Sequence, residues 1–359
     1  MITIPNPRPA AHGNNPVELT DGRIAVCWFA GTREGVEDQR VLVSASDDGT
    51  VWDEPRVLVD HFEHDGDRWV PEIAALLHEP TDGSLWVVFS AAPLSGFSYR
   101  PGSDAWLRSL ERARLFQAPV SEPGFTMGEP AEVASRLPLI LQGKPVAVPG
   151  ARWLIQCNAR DDEGRFAAAL LEGTPRSGWT ETRHLTALPG CLEPSTAYFT
   201  DGEVLTYLRY AGHGGHIWRS ESAQGTSGLC DPFPTTLRNP NSGIDIAVGE
   251  HDELVLVYND SYRLRTPLTL CVSFDRGVTF RCRDIETEPG EYSYPKLFRH
   301  ASGSWFVFYT RLRKHIACLP FDIRDLRSGR PVVGLDATST PAGTPAQRTG
   351  ADAAPGRIP

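Results

Sequence analysis

The side chains able to do chemistry in this chain of 359 residues gather in short polar segments. Trp69 and Glu72, in DRWVPEI, could give a sugar-stacking face and an acid, although tryptophan packs between sheets just as readily. Glu34, Glu37 and Asp38 crowd FAGTREGVED with Arg33, and any one carboxylate there could also be a solvated charge. NPNSGID carries Asn241 and Asp245, residue types that favour ordinary turns and also bind polar ligands. GEYSYP carries Tyr292 and Tyr294, and a phenol is a weak nucleophile unless a base takes its proton. His213-Gly214-Gly215-His216 lies in a glycine-rich hairpin without carboxylate neighbours, so no metal site is expected. No cofactor is expected either.

The elements that must position these groups are strands. Ser273 to Phe280, SFDRGVTF, reads as a hairpin turn following the alternating strand LTLCV. Asp275 can accept from the turn's own amides, Gly277 can take a positive φ, and Phe280 can pack back on the sheet. A second copy at Ser46 to Trp52 is one residue short, and a third at Ser220 to Thr226 lacks the aspartate. Six turn-plus-strand units recur, with turns at Asp21-Gly22, Asp82-Gly83, Pro149-Gly150, Asp201-Gly202, His251-Asp252 and Ser302-Gly303. Their intervals are 61, 67, 52, 50 and 51 residues, which predicts an all-β, six-bladed β-propeller of four-stranded antiparallel blades over residues 1–330. The two long intervals predict insertions. Asp104 to Phe116 has helical spacing of Trp106, Leu110 and Leu115 and predicts one short helix. From Gly334 to Pro359 the composition predicts a disordered tail.

A net charge of −10 argues against a nucleic-acid surface or a polybasic membrane patch, so an anionic substrate needs arginines collected locally. No secretory apolar segment opens the sequence and no run approaches a membrane span. Cys27, Cys157 and Cys271 fall inside apolar strands, where cysteine behaves as a small hydrophobe. A reduced, cytoplasmic setting is the simpler expectation.

S-x-D-x-G-x-T-F is the Asp-box, and with NPNSGID, RTPLTLCVSFDRGVTF and GEYSYP the chain resembles the bacterial BNR-repeat, sialidase-like family. The resemblance implies a tyrosine nucleophile, best matched by Tyr292 with Tyr294 as second choice, and a glutamate base, Glu193, in CLEPS. It implies arginines that clamp a carboxylate: Arg209 ending one strand, Arg265 before another, and, nine residues ahead of Asp21, His12 where an arginine stands in exo-sialidases. The acid and base falls to Glu34 or Asp38. Arg33, Glu72, Lys144 in QGKP, Asn241, Asp245 and Tyr294 complete the expected substrate-binding set.

The activity implied is a retaining glycosidase acting on sialic acid or a related acidic sugar, with a small molecule or glycan as partner. A second expectation is a lyase, isomerase or cyclase acting on a small carboxylated metabolite. A third, a binding scaffold without turnover, is disfavoured by Glu193, Arg209, Arg265 and Tyr292 occurring together.

Overall fold

The computed structural model describes residues 1–96, 112–122, 124–135, 138–160, 165–185, 190–212, 214–336 and 339. Six antiparallel sheets follow one another as the blades of a six-bladed β-propeller. Blade 1 is Ala10–Glu18, Ile24–Gly31, Arg40–Ser46 and Arg56–Val59, and blade 2 is built on Asp67–His78, Leu85–Pro93 and Arg114–Ser121. In blade 3, Arg152–Arg160, Phe166–Thr174 and Gly178–Leu185 follow an inner strand broken into Leu139–Leu141 and Val146–Val148. Blade 4 is Cys191–Tyr198, Val204–Tyr210, His216–Ser222 and Phe233–Arg238. Blade 5 is Asp245–Val248, Leu254–Asn259, Leu268–Ser273 and Thr279–Glu286, with Arg330–Val333 added at its edge. Blade 6 is Tyr292–Arg299, Trp305–Arg311 and His315–Phe321, completed by the N-terminal strand Ile2–Ile4.

Each predicted turn reverses the chain through a residue of positive φ, namely Gly22, Gly83, Gly150, Gly202, Asp252 and Gly303. The Asp-box closes as its residue types require: Thr279 N donates to Asp275 Oδ1 at 2.8 Å and Gly277 N to Ser273 Oγ at 2.8 Å. In the shortened copy, Gly49 N donates to Ser46 Oγ at 2.9 Å and Thr50 N to Asp48 Oδ1 at 2.8 Å. The extra length of the two long intervals includes the short strands Phe62–His64, Thr126–Met127 and Ala131–Glu132.

The core lies between blades because a central strand is buried on both faces. In Arg114–Ser121, Phe116, Ala118 and Val120 face one apolar cluster while Leu115 faces another. That alternation corrects the expected helix over Asp104 to Phe116: its last residues, Arg114 to Phe116, are strand, and 104–111 lie outside the described residues. Cys271 is also corrected. It pairs in register with Cys282 on the next strand and forms a disulfide with it, whereas Cys27 and Cys157 are buried free thiols pushed up by burial. Edge strand Arg330–Val333 carries the ordered chain past residue 330, and Gly334 N donates to Val278 O at 2.8 Å. Most of the expected tail, residues 337, 338 and 340–359, lies outside the described residues. Among the described residues no helix is long and apolar enough to cross a membrane.

One irregularity recurs. The inner strands of blades 1, 2, 4 and 6 break register between His12 and Asn15, Pro71 and Ala74, Leu192 and Ser195, and Ser293 and Lys296. A bulge adds a residue that the ladder cannot pair and re-aims its side chain. Between those pairs lie Gly13 and Asn14 in blade 1, Glu72 in blade 2, Glu193 in blade 4 and Tyr294 in blade 6, while His12 pairs with Phe29 just ahead of the first bulge.

Candidate active site

Glu193 and Tyr294 both take positive φ, 50° and 48°, where a non-glycine residue is held only by its surroundings. The holders are asparagines on neighbouring blades. Asn158 Oδ1 accepts from Glu193 N at 2.7 Å, and Asn14 Nδ2 donates to Tyr294 O at 2.9 Å. The two bulges then meet: Tyr294 Oη donates to Glu193 Oε1 at 3.0 Å. Gly243 leaves the room for this, since a Cβ there would stand 3.1 Å from Glu193 Oε2 and 3.4 Å from Tyr294 Cδ1. Burial, and next the Glu193 charge, raise the Tyr294 phenol well above its ordinary value, so it is neutral at rest.

The pair lines a cavity of about 450 Å³. Arg209, Arg265 and Arg313 line it too, while Phe29, Ile73, Ile140, Phe166 and Leu192 supply apolar wall. Arg209 ends a blade 4 strand; its Nη1 reaches Glu193 Oε1 at 2.5 Å and its Nε reaches Asn241 Oδ1 at 2.5 Å. Arg265 Nη1 donates to Glu291 Oε1 at 2.7 Å, and Arg313 Nε donates to Glu291 Oε2 at 2.8 Å. Glu291 thereby sets two guanidinium groups side by side. Burial alone would lift its carboxyl, but the Arg313 hydrogen bond and the Arg265 charge outweigh it and hold the pKa below the ordinary value. A guanidinium carries five N–H donors, so each arginine has donors beyond those spent on its holder. Three guanidinium groups lining one cavity have the chemistry to hold a carboxylate.

Glu34 lines the same cavity in an ion pair with Arg313. Glu72 lines it without an ion pair among the described residues, and burial, then the Glu34 charge, push its carboxyl up to about 7. Arg33 lies at an adjoining cavity of about 260 Å³, lined also by His12, Phe29, Glu34 and Arg313.

Several expected roles are corrected. Tyr292 is not beside Glu193: it packs in the core against Tyr309, and the bulge one residue later aims Tyr294 into the cavity instead. Asp38 closes its own loop, accepting from Thr32 N at 3.1 Å and Thr32 Oγ1 at 2.7 Å. Burial opposes its charge, but those bonds hold its pKa below the ordinary value, which suits a fastener rather than a proton donor. His12 is buried at 2 % exposure, edge-on to Tyr294 at 4.4 Å. Burial and the charges of Arg313 and Arg265 push its pKa well down, so it brings no positive charge to a carboxylate. Trp69 Nε1 donates to His64 O at 2.8 Å and its ring packs on Phe116, which makes it a packing residue. Asn241 acts through Arg209 rather than on the cavity.

Lys144 and Asp245 also leave the expected substrate-binding set. Asp245 is fully buried, pairs with Lys144, and accepts from Ser195 Oγ at 2.8 Å and Leu297 N at 2.7 Å. Lys296 lies next to them, buried, its ammonium pKa lowered chiefly by that burial. These charges tie the inner strands of blades 3, 4, 5 and 6 together. Among the described residues one cluster, His64, Asp65 and Glu132, brings possible metal-ligand atoms within 4.8 Å, and none of its members lines the cavity.

Sequence reasoning missed Arg313 and Asn158. For Tyr294 a signal was present: it precedes Gly303 by nine residues, as Glu193 precedes Gly202. Arg313 had none, since its partner Glu34 lies 279 residues away.

The sequence matches the family model for the BNR repeat-like domain over residues 22–307. The chain belongs to that family. No curated protein matches it. Among solved structures, a Hadza microbial sialidase superposes with a TM-score of 0.70 at 16 % identity, covering 88 % of this chain and 66 % of that one. NanB sialidase from Streptococcus pneumoniae, in complex with an ethanesulfonate, gives 0.70 at 11 % identity, covering 89 % and 69 %. A protein of unknown function from Dyadobacter fermentans gives 0.69 at 15 % identity, covering 88 % and 96 %. The chain thus spans about two thirds of the length of the first two. At these identities the likeness shows a sialidase fold.

Proposed function

We propose that this protein is a retaining glycoside hydrolase acting on sialic acid or a related acidic sugar. The observation that carries this reading is the hydrogen bond from Tyr294 Oη to Glu193 Oε1 in a cavity that Arg209, Arg265 and Arg313 also line. The arginines hold the sugar carboxylate. Tyr294 Oη attacks the anomeric carbon as Glu193 takes its proton, the bond to the leaving oxygen breaks, and a cavity carboxyl protonates that oxygen. Water then attacks the same carbon, gives a proton to that carboxylate, and releases Tyr294, which recovers its own proton from Glu193. A neutral attacker avoids the repulsion that a carboxylate nucleophile would meet from an anionic substrate.

The test is hydrolysis of an aryl sialoside, with neutral aryl glycosides as controls, by wild type, Tyr294→Phe and Tyr292→Phe. Turnover confined to the sialoside, lost in Tyr294→Phe and kept in Tyr292→Phe, supports the assignment. A folded wild-type protein that hydrolyses no sialoside overturns it, and the alternative of a lyase, isomerase or cyclase on a carboxylated metabolite takes its place.

A further inference from the structure

We propose that Glu72 is the carboxyl that protonates the leaving group and later deprotonates water, with Glu34 as a fixed negative neighbour rather than the proton carrier. This inference rests on the glycosidase reading above. Three observations support it. Glu72 sits in the inner-strand bulge of blade 2, the same device that aims Glu193 and Tyr294. It lines the cavity beside Ile73, with Phe29, Ile140 and Phe166 contributing apolar surface. Among the described residues no cation or hydrogen-bond donor holds it, whereas Glu34 is bound to Arg313 and Asp38 to Thr32. An untied carboxyl between apolar walls and a like charge favours its protonated form.

The other charged groups of the cavity fall on the far side of that division. Arg209 pairs with Glu193, Arg265 with Glu291, and Arg313 with both Glu291 and Glu34, so among the described residues none of these cations is held by Glu72. Glu34 remains the charge that acts on Glu72, and the resulting value of about 7 places the proton exchange near neutrality.

The steps balance. In the first, the Tyr294 oxygen–carbon bond forms, the bond to the leaving oxygen breaks, the Glu72 proton goes to that oxygen, and the Tyr294 proton goes to Glu193. In the second, the water oxygen–carbon bond forms, the Tyr294 bond breaks, one water proton returns to Glu72, and Glu193 returns its proton to Tyr294.

The experiment compares wild type, Glu72→Gln and Glu34→Gln on two aryl sialosides, one with an activated nitrophenol and one with an unactivated phenol, with and without azide. Circular dichroism checks the fold of each. Glu72→Gln is expected to lose about 10²–10⁴-fold on the unactivated substrate and far less in cleaving the activated one. Azide, which needs no base, should restore turnover and yield the glycosyl azide. Wild-type kcat/KM should fall above pH about 7, as Glu72 loses its proton, and Glu34→Gln should move that limb to lower pH by removing the charge that raises it. The reverse result, with leaving-group dependence and azide rescue in Glu34→Gln and near-normal Glu72→Gln, overturns the assignment. Loss in Glu72→Gln that is equal on both substrates and insensitive to azide also overturns it. Inactivity of the wild type on both sialosides overturns the glycosidase reading itself, which separates the two failures.

Discussion

Stability and turnover should come apart at the Tyr294–Glu193 pair, and the structure says by how much. Tyr294→Phe removes one hydrogen bond to a carboxylate but keeps the ring, which still packs edge-on to His12 at 4.4 Å. A hydrogen bond to a charged group contributes about 1.5–3 kcal/mol, and the variant should lose no more than that. Glu193→Gln removes the counter-charge of Arg209, whose side chain is only 16 % exposed. Breaking a buried ion pair from one side costs about 3–5 kcal/mol, so the second variant should be the less stable. Because the residues share one contact, the double variant should fall short of the sum by about 0.5–3 kcal/mol. Urea unfolding followed by tryptophan fluorescence measures all three, while sialoside turnover should be lost in each. Strict additivity, or a larger stability loss in Tyr294→Phe than in Glu193→Gln, would refute the proposed coupling.

Three further outcomes follow from the same geometry. Gly243→Ala places a Cβ 3.1 Å from Glu193 Oε2 and should depress turnover with little change in the unfolding midpoint, because only the pair must shift. Asp245→Ala strands half-buried Lys144 and buried Lys296 and should cost about 3–5 kcal/mol in urea unfolding, whereas loss below about 1 kcal/mol would show that water reaches the lysines. Glu72 has a folded pKa raised from 4.5 to about 7, so the folded state binds more protons than the unfolded between those values. The contribution of Glu72 to stability therefore falls as pH rises through that window, opposite in sign to that of His12, and the unfolding free energy of Glu72→Gln relative to wild type should rise from pH 4.5 to 7.

The blades were legible because each announces itself by a turn residue that must adopt positive φ, followed by a strand buried on both faces. Glu193 and Arg209 were picked out by the resemblance to the sialidase-like family, in segments that flank the Asp201-Gly202 turn, and the structure sets them in one ion pair. Tyr292 and Tyr294 defeated the reading because they share strand parity, and alternation cannot choose between them. The choice was made by a bulge, and a bulge leaves no trace in a period-two pattern. Lys144 and Asp245 looked like ligand-binding groups because they are charged and near the axis. Their pairing with each other spans 101 residues and shows only in three dimensions. The disulfide was hidden similarly, since Cys271 and Cys282 become neighbours only through the register of the Asp-box hairpin.

The strand Ile2–Ile4 completes blade 6 by pairing with Ile316 to Cys318, and blade 6 is also the source of Tyr294 and Arg313. Asn6 and Ala11 fasten the same corner, donating to Lys314 O at 2.9 Å and Arg313 O at 3.0 Å. The proposed nucleophile and one proposed carboxylate clamp thus belong to the last seam of a ring whose two lips are separated by nearly the whole propeller sequence. Long-range closure of this kind is the slow part of folding. Turnover would then serve as a reporter of ring closure, so that a chain lacking the first strand could be switched on by a peptide that supplies it.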